Sequence, residues 1–346
     1  MSSALANGLA GAGGGIIAQI ITYPLQTVNT RQQTERVARQ GCDSRGSALF
    51  QILQVVRSEG LSGLYSGLKP SLLGTAVSQG VYYYFYQLFK NRAEAIASAN
   101  KKRGRGDGSV GMLSWLVVAA LAGSLNVLLT NPIWCLVTRM QTHTQAERKI
   151  VEAKRETLLK EASQNVLSAI SLEVQLAELD SSKPHPYGTF QAAWEVYNES
   201  GVRGFWKGVI PALIMVSNPS IQFMIYESLS KRLRTKRAAK KNITAFEVFV
   251  IGAIAKLGAT VCTYPLLVVK SRLQAKQEIS GNVSLRYSGT VDAIIKMIRY
   301  EGFRSFYQGM RTKIVQSVFA ASVLFMVKEE LVKVYAIMSN KSMVNI

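Results

Sequence analysis

The chain has 346 residues, 48% of them hydrophobic, with 41 Lys and Arg against 21 Asp and Glu, a formal net charge of +20. Composition alone fits a two-domain soluble protein as well as a membrane protein, so the arrangement of the apolar residues has to decide. Three cysteines, Cys42, Cys135 and Cys262, without CxxC spacing argue against a disulfide framework or metal site, and no groove-reading motif accompanies the basic charge, which argues against nucleic acid as a partner.

The first element is an uncharged, glycine-rich apolar stretch that follows Met1–Asn7 directly, so no cleavable signal is expected. It leads into Pro24, and arginine and glutamine follow at Arg31 and Gln33. The same spacing recurs at Pro132, Arg139 and Gln141, and again at Pro265, Arg272 and Gln274. A second phrase follows each first one: Glu59-Gly60 to Gly67, Ser200-Gly201 to Gly208, and Glu301-Gly302 to Gly309. A third closes each unit at Tyr86–Lys90, Tyr226–Ser230 and Lys328–Val332. Each unit therefore reads as apolar helix, short amphipathic helix, apolar helix, and the chain as a threefold internal repeat.

The expected units are residues 1–100, 101–240 and 241–346. Stretches such as Met112–Ile133, Phe246–Val269 and Val315–Val327 approach the ~20 residues that span a bilayer, and two per repeat predict six transmembrane helices. Polar interruptions are expected to face an aqueous cavity rather than lipid. Basic clusters at Lys101–Arg105 and Lys231–Lys241 fall on the side of the termini, which the positive-inside tendency places in the cytosol. Residues 142–186 form a polar, charge-mixed insertion in the second unit, read as a weakly ordered loop or an extra helix without chemistry; His143 and His185 read as solvated loop residues.

Gly11-Ala12-Gly13-Gly14-Gly15 invites comparison with a dinucleotide-binding loop, but such a loop must follow a strand and be answered by an acidic residue about 20 positions on. Gln26, Asn29 and Arg31 fill that region instead. Gly11, Gly15, Ala119 and Gly123 read as small residues that let membrane helices approach closely. Nine residues before the three prolines stand Gly15, Gly123 and Lys256. A lysine in the middle of an apolar helix costs several kcal/mol unless it reaches water or an anion, so Lys256 is expected to be a substrate anion site.

The three phrases together resemble the mitochondrial carrier family over nearly the whole chain. The stretches Asn7–Gly15, Gly80–Tyr86, Asn131–Trp134 and Asn218–Met224 are similar to its peroxisomal branch. The resemblance implies an all-α membrane protein of six transmembrane helices in three pseudo-threefold repeats, with short amphipathic linker helices, working in the lipid bilayer as a monomer without cofactor. It implies a multi-pass antiporter of the peroxisomal membrane that imports NAD against AMP, ADP or a related adenine nucleotide, with CoA a further candidate substrate. The alternative is a folate, FAD or pyrimidine-nucleotide carrier of the mitochondrial inner membrane, since those share a Pro-x-Trp second signature, here Pro132-Ile133-Trp134. Two other classes are weighed and set lower: a membrane-bound NAD-dependent enzyme, which lacks an acid–base pair within the spans, and a channel-like protein, which weak gates would allow.

The same resemblance implies site residues. The family's acidic signature slots hold Gln26, Trp134 and Leu267, and its basic slots hold Asn29, Val137 and Lys270. No carboxylate is left to pair, so this gate is expected to rest on hydrogen bonds from Gln26 to Asn29 or Lys270, with Trp134 as a hydrophobic or cation–π plug. Arg31, Arg139 and Arg272 are expected to tie helix-end carbonyls. The opposite gate would use Gln87, Lys90, Glu227 and Glu329. Substrate-contact positions fall at Gly74, Ile214 and Gln316, the first two expected to offer a flat slot to an adenine ring. Phosphate is then left to Lys256, Lys313 and Lys270, and Tyr82 in the run Tyr82–Tyr86 is a candidate to stack a second ring. Lys256 and Leu267 lie 11 residues apart, about three full helical turns, so both are expected to face the cavity.

Overall fold

A computed structural model describes residues 2–35, 48–103, 110–164, 187–236, 244–276 and 287–323, together with 326, 327 and 330. These residues are helical or in short connections, without a strand among them. Repeat one contains α1 (Ser2–Thr34), α2 (Ala48–Leu64) and α3 (Leu68–Lys102). Repeat two contains α4 (Met112–Gln164), α5 (Thr189–Ser200), α6 (Val209–Met215) and α7 (Asn218–Lys236). Repeat three contains α8 (Ala245–Gln274), α9 (Thr290–Tyr300) and α10, over residues 310–323. The chain thus has an all-α architecture of three tandem repeats, each with a long helix through its signature proline, a short linker helix and a second long helix that repeat two divides at Val216-Ser217.

Pro24, Pro132 and Pro265 lie inside α1, α4 and α8 rather than ending them. A proline in a helix removes one ladder bond and disturbs the turn before it. The residues around it answer alike in each repeat. Two positions before each proline, Thr22, Thr130 and Thr263 donate their hydroxyls to the carbonyls of Ala18, Asn126 and Ala259 at 2.8, 2.7 and 2.9 Å. One position before it, Tyr23, Asn131 and Tyr264 reach out of the helix to the carbonyls of Ser66, Phe205 and Gln308 at 3.0, 2.9 and 2.7 Å. The kinked helix is thereby bonded to the tight turn that starts the next long helix of the same repeat.

That turn depends on glycine. Gly208 and Gly309 both take φ 76°, in the left-handed region, where a side chain costs about 1–2 kcal/mol. Each is also pressed against a neighbouring repeat. A Cβ on Gly208 would lie 3.2 Å from the Lys270 carbonyl, and one on Gly309 would lie 3.1 Å from the Gln32 side chain.

Of the two readings of the inserted segment, loop or extra helix, its start is helical, as a continuation of α4 rather than a separate helix. Residues 142–164 continue α4, which reaches 53 residues, about 80 Å at 1.5 Å per residue, far more than the ~30 Å of a hydrocarbon core. The cause lies in the sequence His143–Gln164, which is rich in Glu, Lys, Arg and Ala, all strong helix formers. The remainder of the insertion, with Val166, Ile170 and His185, lies outside the described residues. His143 is not a solvated loop residue: it is buried, and its ring stacks on Tyr187 with centroids 3.4 Å apart.

Among the described residues, three helical stretches are long and apolar enough to cross a membrane: Met112–Arg148, Val202–Leu233 and Glu247–Gln274. Glu247 also closes a capping box at the start of α8. Its carboxylate accepts from the Thr244 backbone at 2.9 Å while the Thr244 hydroxyl accepts from its own N–H, satisfying two of the donors that a helix start leaves open.

Candidate functional site

One end of the bundle is closed by a ring of arginines, and the ring has the symmetry of the sequence repeat. Arg31 donates its Nε to the carbonyl of Gln141 at 2.9 Å, Arg139 to that of Gln274 at 3.1 Å, and Arg272 to that of Gln33 at 3.0 Å. Each arginine therefore ties its own repeat to the next, and the third returns to the first. The rest of each guanidinium is held mostly within its repeat, although Arg272 also donates to the Glu35 carbonyl of repeat one at 2.9 Å. Arg31 makes two bonds to Glu59, Arg139 two to Glu199, and Arg272 bonds Glu301 and Gln308. A planar guanidinium suits this role because it presents several donors in one fixed fork.

The sequence led us to expect ties to helix-end carbonyls, and Gln33 and Gln274 do lie at the ends of α1 and α8 whereas Gln141 lies inside the extended α4; the carboxylate partners went unread. Glu59 and Glu301 directly precede the glycine of the second phrase, whereas in repeat two Ser200 stands there and the partner is Glu199, one residue earlier. Aligning the phrases on glycine hides that shift.

Inside the ring, the gate differs from expectation. Asn29 does not pair with Gln26: it is 2% exposed, donates to the Gly309 carbonyl at 3.5 Å and accepts from Gln33. The Gln33 side chain in turn accepts from Ser271 at 2.7 Å. Gly309 and Gln33 both lie where repeats three and one meet, against Gln32 and Ser271 respectively. Trp134 makes no cation–π contact among the described residues. Its indole N–H donates to Ser78 at 3.1 Å and its ring edge lies against Gly74, so it is directed onto α3. Val137 is buried against the turn at Gly67, and Leu267 packs on the core of repeat three. Lys270 is half-buried beside Gly208.

A second layer of ion pairs lies outside this ring. Arg148, on the extension of α4, approaches Glu59 of repeat one to 3.7 Å. Lys276 of repeat three pairs with Glu195 of repeat two, which also accepts from Tyr187. Burial opposes ionisation of Glu195, but Lys276, Tyr187 and Arg139 outweigh it and hold the carboxyl below its ordinary range. Burial and the same contact with Glu195 push the Tyr187 phenol up.

At the opposite end the polar bonds of the expected residues stay within single helices, and among the described residues only Lys90 reaches across repeats, to the Trp115 ring. Gln87 bonds Asn91 at 3.1 Å, Lys90 pairs with Glu94 at 3.9 Å, and Glu227 pairs with Lys231 at 3.4 Å, all within their own helices. Lys90 also lies over the Trp115 ring, 5.9 Å from its centroid. Glu329 lies outside the described residues.

Between the two ends, Lys256 is exposed and close enough to Lys313 to act on it electrostatically. Lys313 donates to Gln316 at 3.2 Å, one turn along α10. Neither lysine has a carboxylate partner among the described residues. At the corresponding place in α1, a side chain on Gly15 would meet nothing within 4 Å, while one on Gly123 would come to 2.7 Å from Val216. Gly123 is thus a packing glycine and Gly15 is not: the position that holds Lys256 opens onto free space in repeat one as well.

Gly74 and Ile214 do not form one slot. A Cβ on Gly74 would lie 3.0 Å from Ile133 and 3.7 Å from Trp134, so the flat surface at this level is the indole rather than the glycine. Ile214 is 50% exposed on α6, in another repeat. Tyr82 is half-buried and stacks on Tyr86 at 5.9 Å, whereas Tyr83 and Tyr84 are exposed.

The family model described as mitochondrial carrier protein matches residues 1–95, 108–237 and 241–339. The peroxisomal nicotinamide adenine dinucleotide carrier of Arabidopsis thaliana is 62% identical over 336 residues, covering 96% of each chain. The chloroplastic folate transporter 1 of the same plant is 31% identical over 94% of each chain. Its chloroplastic nicotinamide adenine dinucleotide transporter 1 is 30% identical over 93% of this chain and 89% of its own. A family match over all three repeats, joined to a ring of ties that steps from each repeat to the next, leaves one conclusion: the chain belongs to the mitochondrial carrier family.

Proposed function

We propose that this carrier is a multi-pass antiporter of the peroxisomal membrane, importing NAD in exchange for AMP, ADP or a related adenine nucleotide by alternating access through one central site. The observation that carries the reading is that Lys256 stands exposed in the middle of an apolar helix and acts electrostatically on Lys313, while neither lysine has a carboxylate partner among the described residues. Two neighbouring cations without acidic partners suit a diphosphate, which NAD, ADP and CoA all carry, and the net charge of +20 favours an anion's approach. The 62% identity to a peroxisomal NAD carrier supports the choice of substrate and membrane.

Six spans in a monomer complete the reading. The other three long helices, α1, α3 and α10, carry Gln19, Ser71, Ser78, Lys313 and Gln316, polar groups that suit helices lining water rather than facing lipid. The Trp134 indole, fixed by Ser78 and backed by Gly74, supplies the stacking surface for the adenine ring. Trp134→Leu is then expected to raise the half-saturation constants for NAD and AMP together, because both carry the adenylate moiety. A rise for NAD alone would assign the indole to the nicotinamide end.

The test of the function is exchange in liposomes loaded in turn with NAD, AMP, ADP, CoA, FAD and folate. NAD uptake driven by internal AMP or ADP is expected. Uptake into empty liposomes at the same rate would mark a channel, and exchange with folate but not with NAD would overturn the substrate assignment.

A further inference from the structure

We infer that Lys270 is a second anion site, set at the closed floor below Lys256 and Lys313, which the substrate's phosphate engages only while crossing. This deepens the proposed function and rests on a phosphate-bearing substrate. Lys256 and Lys270 stand on the same helix, 14 residues apart, which is about 21 Å along the axis and within roughly 40° of one line. That is more than two lysine side chains can span, so a diphosphate seated at Lys256 and Lys313 does not reach Lys270 without moving down the helix.

Three observations set Lys270 apart. Its surroundings are packed: its stem lies against Gly208, where a Cβ would come within 3.3 Å of its Cγ, and Cys135 is its electrostatic neighbour. Its ammonium has no hydrogen bond or ion pair among the described residues. The carboxylates of the closed ring are already engaged, Glu59 by Arg31 and Arg148, Glu199 by Arg139, Glu195 by Lys276, and Glu301 by Arg272.

The corresponding positions of the other repeats, Asn29 and Val137, carry no charge. Lys270 is therefore the one cation among the six slots of the floor, and it has no counter-ion there. A half-buried, uncompensated ammonium is costly to hold. That cost falls when an anion passes, so the transit state gains from Lys270 what the resting, substrate-loaded state does not. An interaction made only in transit raises the rate and leaves the affinity unchanged.

Lys270→Gln, assayed in liposomes, is expected to lower maximal NAD exchange about tenfold or more, a barrier change of ~1.4 kcal/mol or above. The half-saturation constant should stay within about twofold of the parent value, since transit-only contacts do not enter substrate binding. The variant should keep the rise in melting temperature that NAD gives, and without NAD it should melt no lower than the parent. Lys270→Arg should restore most of the rate. Exchange at the parent rate would overturn the inference. So would a weakened NAD-dependent thermal shift, which would make Lys270 part of the central site, or a lower melting temperature without NAD, which would make its role structural. The double replacement Lys256→Gln with Lys313→Gln separates the two proposals. It should abolish the NAD-dependent shift, and a retained shift would overturn the central site while leaving the rate effect at Lys270 to be judged by itself.

Discussion

Arg139→Met should destabilise the protein by about 3–5 kcal/mol, read as a large fall in melting temperature and a poor yield of monodisperse protein. Arg139 is 2% exposed and holds Glu199 with two bonds, Glu195 at 3.9 Å and the carbonyl of Gln274 at 3.1 Å. Methionine fills much of the volume but takes from Glu199, at 11% exposure, the two charged bonds that Arg139 gives it. A buried pair is worth little against an apolar substitute for both partners, yet removing one partner leaves the other desolvated without compensation. Arg139→Lys keeps the charge and loses the fork, so it should recover only part of the loss. The threefold arrangement adds a comparison within the molecule. Arg31 has two bonds to Glu59, and Arg148 stands at 3.7 Å from the same carboxylate; Arg31→Met should therefore be the milder change, because Arg148 remains beside Glu59. Equal falls for the two variants would show that the outer pair carries no weight.

How much of this was legible in the sequence depended on whether the deciding contact lay within a repeat's own phrase. The arginine ties were readable because Arg31, Arg139 and Arg272 recur at fixed distance from a proline, although α4 continues past Arg139 and Gln141 instead of ending there. Lys256 was readable because it breaks an apolar helix. The partner of Arg139 was not, since Glu199 is one position out of register with Glu59 and Glu301, and only the fold shows that all three reach the same place. The gate bond from Gln26 to Asn29 and the orientation of the Trp134 indole were not legible for a related reason. Slot positions fix which face a residue occupies, but not whether Asn29 will prefer the Gly309 carbonyl or whether an indole will turn toward Ser78. The glycines divided in the same way: Gly15 and Gly123 hold equivalent positions, yet one faces open space and the other Val216.

Lys256→Ala is expected to bring NAD exchange down roughly 100-fold, the loss of one hydrogen bond to a charged group at the upper end of its usual worth, with the melting temperature of the free protein hardly changed. The two halves of the prediction have the same structural cause. Lys256 is exposed and its ammonium makes no hydrogen bond or ion pair among the described residues, so nothing in the fold is lost with it. Its like-charged neighbour Lys313 even loses a repulsive partner, and removing such a partner should raise stability slightly if it changes at all. A substrate phosphate, by contrast, would lose one of the two cations that face it, and the survivor, Lys313, is already bonded to Gln316 at 3.2 Å. Restoring a positive charge as Lys256→Arg should recover exchange in part, since the guanidinium keeps the charge but is bulkier and planar. Full-rate exchange by Lys256→Ala would remove the lysine from the site. A fall in melting temperature as large as that of Arg139→Met would show instead that Lys256 holds the helices together, and the anion would have to be sought elsewhere in the bundle.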